Sequence, residues 1–234
     1  MTDVSLKKCE TKLKSLSDDF ELFAHITSHD LRDPLRQVII YFDELKNAGI
    51  DKSVSEKIEN SRSCINEVLQ KVGLLREYSY IANSKAEHKK TDFNSSLKEA
   101  MKNLDAKIKK YKAEITSEKL PSLDVDNGEI VKLLSCLIDN SLKFRSKKSP
   151  KIKISAKKLD KAWQFDIQDN GIGIDEVYRN FVFALFQRIN PENKEEGFGA
   201  GLSFCKKIVE NHGGDIWFSS DGENGTCFHF TIAE

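Results

Sequence analysis

The sequence predicts an α+β chain in two parts: a pair of long helices, then an α/β sandwich with helices on one face of a mixed sheet. Three observations carry that expectation. Roughly the first 80 residues place apolar side chains at steps of three and four, the remainder alternates strand-like runs with helices, and a polar Lys-rich stretch, Asn83 to Lys90, separates the two. The predicted division is a helical hairpin over 1–84, a linker over 85–91 and the sandwich over 92–234.

In the first part, Leu13, Leu16, Phe20, Phe23 and Thr27, then Leu31, Leu35, Val38, Phe42 and Leu45, keep a helical rhythm. They describe one amphipathic helix from Leu6 to about Asn47, ended by Asn47-Ala48-Gly49, where glycine suits a helix stop. At about 1.5 Å per residue such a helix runs about 60 Å, too long to cover its own apolar stripe. Asp51 to Ser55 reads as the next helix start, and Val54, Ile58, Ser61, Ile65, Val68, Val72 and Leu75 follow in steps of four and three. Two such helices joined by a short turn form an antiparallel hairpin, and its remaining seam is best covered by a second copy. A homodimeric four-helix bundle is expected; intramolecular pairing with the C-terminal region is the alternative.

Within the first helix, the steps Thr27 to Leu31 to Leu35 interrupt the heptad. His29 lies roughly 200° around the helix from both Thr27 and Leu31, so it points away from the seam. Pro34 removes a backbone donor one turn after Asp30 and should bend the helix there. A carboxylate beside an imidazole can take the proton of one ring nitrogen and leave the other nucleophilic, which fits His29 followed by Asp30. An ordinary exposed histidine also fits. His25 and His29 make an i, i+4 metal-like pair, but no further ligand cluster lies nearby in sequence.

The chain has 234 residues, enough for two small domains, and its 37 Lys plus Arg balance 37 Asp plus Glu. No basic footprint argues for nucleic acid or an anionic membrane surface. Five cysteines, Cys9, Cys64, Cys136, Cys205 and Cys227, are scattered without CxxC pairs, as reduced thiols in a cytoplasmic protein are. No signal peptide or bilayer-spanning apolar run is visible, so no membrane contact is expected from the chain itself.

The second part opens with helix-like Asn94 to Ile108 and a short strand near Glu114 to Ser117. An acidic turn, Asp124 to Gly128, leads into a helix from Glu129 to about Lys143. Ile152–Ala156, Trp163–Ile167, Ile216–Ser219 and Phe228–Ile232 alternate as strands. Four motifs run through it. Asn140 and Lys143, within Asp139-Asn140-Ser141-Leu142-Lys143-Phe144-Arg145, share a helix face, and an amide with an ammonium there suits a Mg²⁺-bound polyphosphate. Asp169-Asn170-Gly171-Ile172-Gly173 follows a strand, where a carboxylate can accept from an exocyclic amine and glycines allow close backbone approach. Phe183 to Phe186 with Gln187 and Arg188 is aromatic. Gly197-Phe198-Gly199-Ala200-Gly201-Leu202 precedes a helix running to about Asn211, and amides at such a start can cradle an anion. Singly, each has an ordinary alternative: a turn, a solvated face, a core aromatic pair, a loop.

His29-Asp30-Leu31-Arg32-Asp33-Pro34-Leu35-Arg36 resembles the H-box of sensor histidine kinases, and the four later motifs resemble, in order, the N, G1, F and G2 boxes of the GHKL (Bergerat-type) ATPase fold. Lys143-Phe144-Arg145, Leu185-Phe186-Gln187-Arg188 and Cys205 to Gly214 resemble the phytochrome-like branch. The likeness spans Leu22 to Ile232. It implies an ATP-dependent protein-histidine kinase that autophosphorylates His29, with Asp30 as base, and passes the phosphoryl group to an aspartate of a response-regulator receiver domain. It further implies that Asn140 holds Mg²⁺ and that Lys143 lies near the phosphates. Asp169 would read the adenine amino group. Phe144, Gly171, Gly173, Phe186, Gly197, Gly199, Gly201 and Leu202 would shape the ATP pocket, with Asn190 to Glu196 as its lid. The alternative is a non-catalytic dimeric phosphotransfer scaffold with a vestigial ATPase fold. Three residues depart from the family pattern: Cys136 stands where Asn is frequent, Phe198 where a small polar residue is usual, and Asp33 where many bifunctional members carry Thr or Asn. The last predicts little phosphatase activity.

Overall fold

The computed structural model describes residues 31–47, 51–83, 87–179, 181–189, 197–222 and 224–234. His25, His29, Asp30, the start of the first helix and the Asn190–Glu196 segment lie outside the described residues. The chain divides into two compact units, Met1–Ser84 and Lys85–Glu234.

In the first unit, α1 (31–47) and α2 (Lys52–Asn83) are the described helices. Asp51 starts α2 by accepting from the Ser53 N–H at 3.2 Å. Asp43 pairs with Arg62 at 2.9 Å and Lys46 with Glu59 at 2.6 Å. One partner advances three residues as the other retreats three, as antiparallel helices require. These exposed pairs, screened by solvent, serve register more than stability. Within the α2 stripe, Ile58 and Val72 are buried, whereas Val54 and Val68 remain exposed, as do Leu31 and Leu45 on α1. Among the described residues no helix is long and apolar enough to cross a membrane.

The second unit is a mixed α+β sandwich. Its elements are β1 (Lys89–Asp92), α3 (Phe93–Asn103), α4 (Asp105–Tyr111), β2 (Glu114–Ser117), β3 (Ser122–Val125) and α5 (Asn127–Lys143). Then come β4 (Lys151–Lys158), β5 (Ala162–Asp169), a 3₁₀ turn (Glu176–Tyr178), α6 (Gly201–Asn211), β6 (Ile216–Ser220) and β7 (Thr226–Ala233). The main sheet has the order β2-β4-β5-β7-β6, parallel at β2–β4 and antiparallel elsewhere. Alternate residues of its central strands, Ile152 and Ile154, Phe165 and Ile167, Phe228, Phe230 and Ile232, are buried, and the intervening ones are not. α5 meets that face with Ile130, Leu133, Leu134, Leu137 and Ile138, α6 with Phe204, Ile208 and Val209. Phe93, Phe165 and Phe230 stack at 4.6 and 4.9 Å, tying α3 to the sheet centre. Each such buried side chain contributes about 1.5–3 kcal/mol.

Three expectations are corrected. The segment expected as a linker to residue 91 contains β1, which pairs antiparallel with β3 from Lys89↔Val125 to Asp92↔Ser122. Thr91 is buried there against β3, and its hydroxyl is shared between the Lys89 carbonyl at 2.9 Å and the Val125 carbonyl at 3.2 Å. The single helix expected over Asn94–Ile108 is two, broken at Leu104, whose φ of −104° and ψ of 6° leave the helical region. Helix α5 also begins earlier than expected, because the Asp126 side chain caps it by accepting from the Glu129 N–H at 3.0 Å.

Candidate functional site

The site is assembled where α5 ends, β5 ends and α6 begins. Helix α5 stops at Phe144, whose N–H donates to the Asn140 carbonyl at 2.9 Å. Its last turns present Asp139, Asn140 and Lys143. The Lys143 ammonium lies 2.9 Å from Asp139 Oδ2, and Lys107 of α4 donates to the other oxygen of that carboxylate. Burial works against the Asp139 charge, but the two ammonium groups outweigh it and hold its carboxyl below the ordinary value. Asn140 is half-buried, and its carboxamide makes no hydrogen bond among the described residues.

Asp169 ends β5. Its Oδ1 accepts from the N–H groups of Gly171 at 2.8 Å and Thr226 at 3.1 Å; its Oδ2 accepts from the Ser141 hydroxyl at 3.0 Å. Burial pushes its carboxyl above the ordinary value, and these three donors only partly offset that. A charge carried into a half-buried position is suited to a ligand that brings its own donor. Gly171 is needed here: a Cβ would stand 2.5 Å from the Phe144 carbonyl oxygen and 2.9 Å from Asp169 Oδ1. The Ile172 N–H donates to the same Phe144 carbonyl at 3.0 Å, joining the end of α5 to the turn after β5.

The glycine-rich segment closes a third side. A Cβ at Gly197 (φ +77°) would lie 3.8 Å from Lys143 Nζ, so this backbone runs beside the ammonium. Phe186, itself at φ 62°, donates its N–H to the Gly199 carbonyl at 3.0 Å. Helix α6 then starts at Gly201 and Leu202 with no side chain capping it, leaving its first amides directed out of the helix end. The structure thus brings together Lys143, Phe144, Asp169, Gly171 and Gly197, with Asn140 on the same end of α5, ties Phe186 to Gly199, and sets Gly201 and Leu202 at the adjoining helix start. Gly173 (φ 81°) shapes the turn after Gly171.

Sequence reasoning missed Ser141 and Thr226, both of which hold Asp169. Ser141 is legible only as a small polar residue next to Asn140, and Thr226 has no local signal. Gly225 was missed as well, although a Cβ on it would stand 2.1 Å from the Asp169 carbonyl oxygen.

The donor set fits a purine nucleotide polyphosphate with a divalent cation. An acceptor at Asp169 suits an exocyclic amine, while the ammonium and uncapped amides suit phosphates. Among the described residues no group of three or more His, Cys, Asp or Glu side chains could hold a metal ion. A cation at Asn140 would therefore draw most of its ligands from phosphate and water, a habit of Mg²⁺.

Residues 125–234 match the family model of the histidine kinase-, DNA gyrase B- and HSP90-like ATPases. The chain is 33% identical to the phytochrome-like protein Cph1 of Synechocystis sp. over 97% of its own length and 31% of that relative. It is 32% identical to the adaptive-response sensory-kinase SasA of Prochlorococcus marinus subsp. pastoris, over 95% of this chain and 60% of that one. It thus spans under two thirds of either relative. The catalytic domain of histidine kinase ThkA aligns with a TM-score of 0.54 at 26% identity, over 63% of this chain and 95% of that one. Full-length ShkA, in complex with AMPPNP, shares the fold with a TM-score of 0.65 at 19% identity, over 89% of this chain and 45% of its own.

Proposed function

From the match of residues 125–234 to the histidine kinase-, DNA gyrase B- and HSP90-like ATPase model, and the likeness of nearly the whole chain to a phytochrome-like protein and a sensory kinase, we propose that it is an ATP-dependent protein-histidine kinase. It phosphorylates its own His29 and passes the phosphoryl group to an aspartate on a response-regulator receiver domain. The observation that carries the reading is that residues from three separated motifs meet, Ser141 and Gly171 at Asp169 and the Gly197 backbone beside Lys143, with Asn140 one turn before Phe144 on the same helix.

In this reading Asp169 accepts the adenine amino group, and Ser141 with the Gly171 and Thr226 amides keeps its carboxylate aimed. Phe144 and Phe186 would help to line the nucleotide pocket. Lys143 leaves Asp139 for the phosphates, and the first amides of α6 stabilise their negative charge. Asn140 would offer its oxygen to Mg²⁺ bound with the nucleotide, a cation that would supply charge neutralisation at the transferring group. Asp30 takes the proton from one ring nitrogen of His29, leaving the other to attack the terminal phosphorus in line as the bond to the bridging oxygen breaks and ADP departs.

The exposed Val54, Val68, Leu31 and Leu45 support dimerisation through the helical unit, since a monomer rarely leaves such a stripe in water. The experiment is incubation with γ-labelled ATP and Mg²⁺. Label should appear on the protein as an acid-labile, base-stable phosphoramidate. It should vanish in His29→Ala with nucleotide affinity nearly unchanged, and Asp30→Asn should slow labelling by roughly 10²-fold or more. Label that survives acid, or persists in His29→Ala, refutes the assignment of the acceptor.

A further inference from the structure

Three side chains on the sheet face turned away from α5 and α6 form one hydrogen-bonded chain. Strand alternation sets Phe165 and Ile167 of β5 into the core and Asp166 on the opposite face. Asp166 stands directly across from His229 of β7, and His229 across from Trp217 of β6. His229 Nδ1 lies 2.6 Å from Asp166 Oδ1, and its Nε2 lies 2.8 Å from the Ser219 hydroxyl of β6. The geometry points to Ser219 as an acyl-accepting nucleophile for small activated esters, with His229 as its general base and Asp166 as a positioning residue.

The hydrogen-bond order fixes the tautomer. Burial works against the Asp166 charge, but the hydrogen bonds from His229 and Gln164 outweigh it and hold the carboxyl below its ordinary value. An ionised carboxylate can only accept, so Nδ1 carries the ring proton, Nε2 keeps its lone pair, and the Ser219 hydroxyl donates to it. A carboxylate on one ring nitrogen and a serine on the other is the arrangement that activates serine for acyl transfer. Two further contacts hold the group still. Gln164 Nε2 donates to the same Asp166 oxygen at 2.7 Å, and Trp217 stacks on the imidazole with ring centres 5.4 Å and planes 22° apart. The Cys227 sulfur lies 3.8 Å from Nδ1, but burial, then Asp166 and Asp169, push its thiol up to about 11, so it is a poor competitor for the acyl group.

Exposure selects the substrate class. His229 and Asp166 are half-buried, whereas Ser219 is exposed on the strand surface, so an acyl donor reaches its oxygen directly from solvent. An enclosing site would add stabilisation of the tetrahedral oxyanion; on an open face the leaving group must supply that reactivity. Aryl acetates meet this condition.

The step balances without a further reactant. The Ser219 oxygen attacks the carbonyl carbon and its proton passes to His229 Nε2. The tetrahedral species then collapses, the bond to the aryl oxygen breaks, and that oxygen takes the proton from Nε2 and leaves as a phenol. Ser219 is left as an acyl ester and His229 neutral. Water attacking that ester, with Nε2 again taking the proton and returning it to Ser219, releases the carboxylic acid.

The test incubates the whole chain with p-nitrophenyl acetate, follows nitrophenolate release and locates the acetyl group by peptide mass spectrometry. Ser219 should acetylate roughly 10²-fold faster than Ser117, an exposed serine whose hydroxyl donates instead to the Glu118 carbonyl. His229→Gln should remove that advantage. Asp166→Asn should remove most of it and Asp166→Glu should return part, a rescue that a merely structural role would not give. Unfolding the unmutated chain in urea should bring Ser219 level with Ser117, so the comparison decides even if a variant does not fold. Acetyl groups found only on lysines or Cys64, Ser219 no faster than Ser117, or a fast Ser219 in folded His229→Gln or in urea overturns the assignment. Nitrophenolate release that continues beyond stoichiometry supports deacylation by water, and an acetyl group that stays on Ser219 overturns that second step alone. No residue of this group belongs to the nucleotide site, so a failed kinase assay leaves the acyl chemistry standing.

Discussion

Asp169→Asn tests the adenine assignment with little change of shape. The carboxylate has three protein donors, at 2.8, 3.1 and 3.0 Å, and the variant keeps an oxygen for the two backbone amides while the Ser141 hydroxyl turns to accept from the new NH₂. What is lost is the acceptor offered to the ligand, now a donor facing a donor. A hydrogen bond to a charged group contributes about 1.5–3 kcal/mol, so ATP affinity should fall roughly 10- to 150-fold, read by calorimetry. Burial raises the Asp169 pKa, so recognition in the unmutated protein should fade as pH falls through that raised value; the variant, having no titrating group there, should lose that acid limb. The stability sign is opposite to that of a salt-bridged acid. A carboxyl with a raised folded pKa binds its proton more tightly when folded, so ionisation costs stability as pH rises. The neutral variant escapes that cost and should melt no lower than the unmutated protein at neutral pH. Unchanged ATP affinity in a folded Asp169→Asn protein refutes the assignment.

Gly171→Ala places a methyl 2.5 Å from a backbone carbonyl that cannot yield, and should destabilise the second unit by about 1–3 kcal/mol in urea titration, whereas Gly201→Ala, with nothing within 4 Å, should be near neutral. Asp139 has a lowered pKa, so its pairing with Lys107 and Lys143 stabilises the fold above the ordinary carboxylate range. That stability is lost as pH falls through the lowered value; Asp139→Asn should flatten this acid limb of the melting temperature. Asp33, exposed on α1, would oppose an aspartyl phosphate by about 4 kcal/mol at 4 Å and an effective dielectric near 20, before screening. Asp33→Thr should therefore speed dephosphorylation of a phosphorylated receiver, and fast, Asp33-dependent decay with the unmutated chain would refute this.

Period and punctuation made α5, α6 and β4 to β7 legible, because each carries its own burial pattern. The elements that escaped are those defined by partners. Lys89-Lys90-Thr91-Asp92 has no apolar run, and it becomes a strand only against Leu123 and Val125. Leu104 continues the apolar rhythm of Asn94 to Ile108, so periodicity hides the break that turns α3 into α4. The site divides along the same line. Asn140, Lys143, Asp169 and the glycines at 171, 197 and 199 sit in compact motifs, so residue type and order revealed them. Ser141 and Thr226 reach Asp169 across 28 and 57 residues of chain, a relation that only folding creates. Gly225 shows why a visible glycine can still be misread: locally it is one more turn residue at φ +94°, yet the missing Cβ is what lets its backbone pass the Asp169 carbonyl. The Asp169 carboxylate is therefore held by one donor legible in its own motif, at Gly171, and by two that are not. Mutations at Ser141 or Gly225 should alter ligand recognition without either residue touching the ligand.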